Sequence, residues 1–125
     1  MTVVVTGGRD WEDAARVEST LFSVLADRED VAVGDCPSGV DLIVRCWCAE
    51  VAVACRVFWA DWDRYGNRAG PLRNLQMVRE ARPRLVLAFW DGKSRGTQNC
   101  IREAVLAGVS VRIVPMVVRR DDALG

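Results

Sequence analysis

Histidine is absent from the sequence. Its absence rules out every Ser-His and Cys-His nucleophile–base pair. Any zinc site would have to come from the five cysteines, Cys36, Cys46, Cys48, Cys55 and Cys100, and no two of them have Cys-x-x-Cys spacing. No metal is therefore expected, and the reading calls for no cofactor. Long apolar runs are missing as well, and none approaches the roughly 20 residues that a membrane helix needs. The first apolar run lies directly after Met1, without the charged region that opens a signal peptide. The expectation is a cytoplasmic protein that makes no membrane contact. In that setting an odd number of thiols reads as reduced cysteines serving as small core hydrophobes. Net charge is also lacking, since 17 basic and 17 acidic residues cancel. Non-specific nucleic-acid binding rests on phosphate neutralisation, so nucleic acid is not an expected partner. A local basic site remains open.

The 125 residues are enough for one domain with one core. Half of them are hydrophobic and 27% are charged, as in ordinary globular chains. Short β-branched or apolar runs read as buried strands: Val3 to Thr6, Val31 to Val33, Cys55 to Trp59, Leu85 to Trp90 and Val111 to Val114. Helical spacing separates them. Ala14, Val17, Leu21 and Leu25 mark the first helix, and Val40, Ile43, Val44, Trp47 and Val51 the second. Ser38, with Asp41 three residues on, suits the N-cap of that second helix. Pro71 suits the first position of a third helix, with Leu72, Leu75 and Val78 inward and Pro83 beyond its end. A fourth runs from Thr97 to Ala107, with Gly108 as its stop. One domain over 1–118 and a loose tail over 119–125 follow.

Strand–helix alternation predicts an α/β fold, a parallel sheet with helices on both faces. Ligands in such sheets bind beyond the carboxyl ends of the strands, where the order reverses. With the order 3-2-1-4-5, the reversal falls between the first and fourth strands. The loop Gly7-Gly8-Arg9-Asp10 and the segment from Asp91 to Thr97 then meet there, with Gly34 to Asp41 alongside. Asp91-Gly92-Lys93-Ser94-Arg95-Gly96-Thr97 joins a strand to a helix start, so its free N–H groups and the helix dipole favour an anion. The connection from the third strand to the fourth crosses about 14 Å of sheet, which carries Ala60 to Gly70 over the crevice. Arg9, Arg64, Arg68, Arg73 and Arg95 all fall at this edge. They either clamp phosphate or carboxylate oxygens or pair with Asp10, Asp61, Asp63 and Asp91 in the same loops. The loop aromatics Trp11, Trp62 and Tyr65 either stack on a base or cover the core edge.

The ordered set Gly7-Gly8-Arg9-Asp10, Gly34-x-x-x-x-Gly39-x-Asp41, Ala60-Asp61-Trp62 with Gly70-Pro71-Leu72-Arg73-Asn74, and Ser94-Arg95-Gly96-Thr97 resembles the YspA/YpsA-related branch of the SLOG superfamily. That superfamily includes the LOG phosphoribohydrolases and Smf/DprA. The resemblance covers about residues 3 to 115 and implies a Rossmann-like three-layer sandwich that binds nucleotides or nucleotide-derived ligands, often as a sensor. It implies a pocket lined by Gly7, Gly8, Arg9, Gly39, Asp41, Arg73, Asn74, Gly96 and Thr97, with phosphate on the Gly96 and Thr97 N–H groups and the threonine hydroxyl. Asp10, Ser38, Trp62, Gly92, Ser94 and Arg95 share those loops and complete the expected ligand-binding set. LOG enzymes carry Pro-Gly-Gly-x-Gly-Thr-x-x-Glu, and that acidic segment serves catalysis. Here Gln98, Asn99 and Cys100 follow Gly96-Thr97, and Glu103 lies further along the helix.

Three functions compete. The first is a binding module that senses a nucleotide-like small molecule such as AMP, NAD or ADP-ribose. The second is a LOG-like N-glycosidic hydrolase, with Asp41 as its carboxylate and Arg73 as its clamp. It needs a group to activate water or to stabilise the oxocarbenium-like ribose, and the acid after Gly-Thr is missing. The reading therefore leans away from an enzyme. The third is a phage or bacterial interaction protein that binds a host or conflict-system partner, with its tryptophans as the contact residues. A homodimer is a further expectation, with Trp47 as a candidate contact.

Overall fold

A computed structural model describes residues 1–116. The expected tail over 119–125 lies outside the described residues. The elements follow in the order β1 (Thr2–Gly7), α1 (Ala14–Val24), β2 (Asp30–Gly34), α2 (Gly39–Val51), β3 (Cys55–Phe58), α3 (Trp62–Tyr65), a 3-10 turn (Gly66–Arg68), α4 (Ala69–Ala81), β4 (Leu85–Trp90), α5 (Arg95–Leu106) and β5 (Ser110–Pro115). All pairings are parallel, and the strand order is β3-β2-β1-β4-β5. This is the Rossmann-like α/β arrangement expected of the alternating pattern.

Strand side chains alternate between faces, and that alternation builds two cores. Val3, Val5, Val31, Val33, Leu87 and Phe89 point to one face, where Val17 and Leu21 of α1 and Val40, Val44 and Trp47 of α2 cover them. Val4, Ala32 and Val86 point to the other, under Met77 and Val78 of α4 and Cys100 and Ala104 of α5. The central strand β1 is sealed on both faces, with Val3, Val4 and Val5 at 0% exposure. Among the described residues no helix is long and apolar enough to cross a membrane.

Three local expectations change. The segment after β3 carries a helical turn, with Asp61 capping α3 through the Arg64 N–H at 3.2 Å, and α4 begins at Ala69, two residues before Pro71. The buried face of α4 is Ala69, Gly70, Asn74, Met77 and Val78, while Leu72 is exposed. The helix is rotated so that Asn74 reaches the Gly96 carbonyl at 3.2 Å and the Asn99 side chain at 3.0 Å. Trp47 is only 8% exposed and packs in the core beside α1, so it offers no surface to a second subunit. All five cysteines are free thiols. Burial pushes Cys100 up to about 11.

Gly7 of β1 pairs in register with Phe89 of β4, so the loops after these strands leave the sheet side by side. From β1 the chain moves outward through β2 to β3, then returns to β4 on the other flank. The crevice at that reversal is where the expected site loops converge.

Candidate functional site

The loop after β1 is shaped by close packing. A Cβ on Gly7 would lie 2.3 Å from Val40 Cγ2, and one on Gly39, at φ +66°, would lie 2.2 Å from the Gly8 carbonyl oxygen. The Gly8 carbonyl accepts the Trp11 N–H at 3.3 Å and the Val40 N–H at 3.2 Å. These three glycines bring the β1 loop against the start of α2 and do not line the crevice. Their contacts carry Arg9 to the crevice wall, where its carbonyl accepts the Ser38 hydroxyl at 3.0 Å. Ser38 occupies the N-cap position of α2, yet its hydroxyl bonds across the loop and makes no capping bond to the helix, whose Val40 N–H is held by the Gly8 carbonyl instead. Asp10 turns away from the crevice into a hollow beside Trp11, Glu12, Asp13 and Met116.

The loop after β2 is clamped from below. The Asp41 carboxylate accepts the Cys36 N–H at 3.2 Å, and Arg45 Nη2 donates to the Cys36 carbonyl at 2.6 Å. Asp41 is only 6% exposed, and burial pushes its carboxyl above the usual range against the pull of the Cys36 N–H and of Arg73 and Arg45. Above it lies Asp35, the first residue after β2. Arg73 Nη1 donates to Asp35 Oδ1 at 2.6 Å, and the Ala60 N–H donates to Asp35 Oδ2 at 3.2 Å. Arg73 Nε donates to Asn74 Oδ1 at 2.9 Å. One polar chain thus runs from β2 through Asp35, Arg73 and Asn74 to the start of α5. Gly34 makes room for it, since a Cβ there would lie 2.5 Å from Arg73 Nη1 and 2.7 Å from Asp41 Oδ2.

The loop after β4 holds an anion of its own. Asp91 Oδ1 accepts the Lys93 and Ser94 N–H groups, each at 2.8 Å, and the Ser94 bond leads in holding its carboxyl below the usual range. Ser94 caps α5 by accepting the Thr97 N–H at 3.5 Å and the Thr97 hydroxyl at 3.1 Å. Thr97 is 1% exposed, so its hydroxyl faces the cap and not the crevice. Gly92 adopts φ +81° to turn the loop, and a Cβ added there would meet nothing within 4 Å. The remaining donors of this helix start are the N–H groups of Arg95 and Gly96, and both residues line the crevice.

The crevice encloses about 690 Å³. Arg9, Ser38, Trp62, Arg73, Asn74, Arg95 and Gly96 of the expected set line it. Asp35, Cys36, Pro37, Asn67, Gly70, Pro71 and Asn99 line it too, outside the expected set. Asp35 had a signal, as the first residue beyond a strand at the ligand-binding edge. Asn99 had one as well, one helical turn from Arg95 on the same side of α5. Gly7, Gly8, Asp10, Gly39, Asp41, Gly92, Ser94 and Thr97 stand behind or beside the wall. Of the five edge arginines only Arg73 forms an ion pair among the described residues, and its partner is Asp35, not one of the loop aspartates. Arg64 instead lies over the Tyr65 ring at 5.2 Å. Trp62 is half exposed, and its ring packs beside Gly70 at the rim.

The arrangement suits an anionic, partly planar molecule. Among the described residues Arg9 and Arg95 are uncompensated cations, the side-chain amides supply hydrogen bonds, and Trp62 supplies an aromatic face. Asp35 is the one carboxylate on the described wall, and it is already paired. Among the described residues no group of three His, Cys, Asp or Glu side chains could hold a metal ion.

Two comparisons bear on kinship. Residues 1–65 match the YspA, cpYpsA-related SLOG family. The chain is 37% identical over 120 residues to the Gene 61 protein of Mycobacterium phage D29, spanning 87% of this chain and 92% of that relative. With the family pattern matched over half its length and a relative matched over nearly all of it, the chain belongs to the YspA/cpYpsA-related SLOG family.

Proposed function

We propose that the crevice binds a nucleotide or nucleotide-derived phosphorylated ligand and that the protein works as a binding or sensing module. SLOG membership points to a nucleotide-related role. The observation that carries the reading further is the pair Arg9 and Arg95, unpaired among the described residues, on one 690 Å³ crevice with the half-exposed Trp62 at its rim. That volume falls within the range of about 300–1,000 Å³ usual for small-molecule sites. Phosphate oxygens suit the arginines and the Gly96 N–H, and a base suits the indole face. Turnover has less support. Asp41, the carboxylate a hydrolase would use, lies behind the wall, and Asp35 is held in an ion pair by Arg73.

The test is a thermal-shift panel of AMP, NAD, ADP-ribose, cyclic nucleotides and inorganic phosphate, with each sample then analysed by HPLC for free base. A ligand at 100 times its dissociation constant adds about 2.7 kcal/mol. The expected result is a clear shift with one nucleotide, none with phosphate alone, intact ligand, and loss of the shift in Arg73→Ala. Free base in the sample would make the protein a hydrolase. No shift from any compound would overturn the binding reading.

A further inference from the structure

We propose that Asp35 is the ribose-recognition residue of the crevice: its carboxylate accepts the 2′- and 3′-hydroxyls of a ribonucleotide and so selects ligands with an unmodified cis-diol. This rests on the nucleotide reading above and narrows it to a ligand class.

A carboxylate in a cleft meant for anions needs a reason. Asp35 is the only acid on the described wall, and its side chain is 13% exposed. Arg73 holds one oxygen and the Ala60 N–H the other. A carboxylate offers about four acceptor positions, so two remain and their direction is fixed in advance. Two adjacent acceptors of fixed orientation match the two hydroxyl donors of a cis-diol. Both ties would have to break for the group to turn away.

Its position agrees. In dinucleotide-binding doubly wound sheets an acid beyond the second strand meets the ribose while pyrophosphate sits at the helix start after the first strand. Asp35 holds the same place beyond β2, with the phosphate donors one strand further away, beyond β4. Here the wall residues order themselves along the sheet edge. Arg95 and Gly96 stand beyond β4, Arg9 beyond β1, Asp35 beyond β2, and Trp62 on the segment after β3. Donors, a cation, an acceptor and an aromatic ring thus follow one another as phosphate, ribose and base do. Strands are about 4.8 Å apart, so the phosphate end and Asp35 are separated by about 10 Å. A 2′-phosphate would meet the Asp35 charge and be rejected. Without that carboxylate, Arg73 would be free to take it.

Asp35 could instead serve only to hold Arg73, and the test separates these roles. The full-length protein is titrated calorimetrically with AMP, 2′-deoxy-AMP and adenosine 2′,5′-bisphosphate. Wild type is expected to bind AMP at least about tenfold more tightly than either analogue, the usual loss when a charged acceptor is left without its donor. Asp35→Asn should weaken AMP to the level of 2′-deoxy-AMP and leave 2′-deoxy-AMP within about twofold of wild type. Asp35→Ala should raise the affinity for the bisphosphate. Equal affinities of wild type for AMP and 2′-deoxy-AMP would overturn the assignment whether or not the variants fold. So would an equal loss of both ligands in Asp35→Asn, which would mark a residue that only positions Arg73. If wild type binds none of the three, this assignment falls, and the nucleotide reading falls with it only if the thermal-shift panel is blank as well.

Discussion

Gly96 has no structural reason to be glycine, which makes Gly96→Ala an informative substitution. It is the second residue of α5, its φ is not positive, and an added Cβ would meet nothing within 4 Å. Alanine is favoured over glycine inside a helix by about 1 kcal/mol, and an end position keeps roughly half of that. The variant should therefore be more stable by about 0.5–1 kcal/mol, a melting rise of about 2–4 °C for a chain of this size. The same methyl would stand on the crevice wall beside Arg95 and Asn99, where the proposed function puts phosphate on the Gly96 N–H. Affinity for the nucleotide found in the panel should fall at least tenfold, about 1.4 kcal/mol. Urea or thermal unfolding of the free protein measures the first effect, and calorimetric titration the second. A less stable variant would show that the glycine serves packing. A more stable variant with unchanged affinity would show that no ligand approaches Gly96, and the phosphate placement would fail.

Gly7→Ala should do the reverse. Its Cβ would lie 2.6 Å from Val40 Cβ and 2.9 Å from the Phe89 carbonyl oxygen, and overpacking of this kind costs about 3 kcal/mol, read as a lower unfolding midpoint. Asp41→Asn should stabilise the protein at neutral pH. Burial raises the folded carboxyl, so the folded state binds the proton more tightly than the unfolded chain. Wild-type stability therefore falls as pH rises from the unfolded carboxylate value through the raised folded one. The amide variant should lose that slope in melts run upward in pH from the unfolded carboxylate value of about 3.9, and an unchanged slope would refute the cause. Glu29 sits at the opposite end of the sheet and accepts Arg84 Nε at 2.7 Å and Nη2 at 2.6 Å. Arg84 holds its carboxyl down at about 2, so this pair stabilises fully above the unfolded carboxylate value and loses its contribution as pH falls toward 2. Glu29→Gln should cost about 2 kcal/mol at pH 7 and leave nucleotide affinity unchanged.

The fold was legible because each strand is a short apolar run and each of the four long helices repeats at 3.6 residues, so these element types followed from period, while the four-residue α3 did not. The crevice was legible at the level of loops, because a doubly wound sheet dictates which loops share an edge. What period could not supply was rotation and pairing. Leu72 fits an inward stripe as well as Asn74 does, and the choice was made by the Gly96 carbonyl and Asn99 across the helix pair. Asp35 acquires its meaning only when Arg73 arrives from a position 38 residues away. The glycine-rich turn after β4 invites an external anion on sequence grounds, yet Asp91 occupies two of its donors. Side-chain competition of that sort is invisible to spacing. Trp47 looked like a contact residue by type and proved to be core by position.

Nucleotide binding in the crevice is tested most directly by a measurement that reports place. A two-dimensional nitrogen–proton NMR titration of the full chain with AMP follows every backbone amide and the five tryptophan indoles at once. Shifts are expected to concentrate at Arg9, Cys36, Ser38, Gly96 and Asn99 and at the Trp62 indole, with Glu29 and Arg84 silent. Saturable shifts centred elsewhere, or none at millimolar nucleotide, would contradict binding in this crevice.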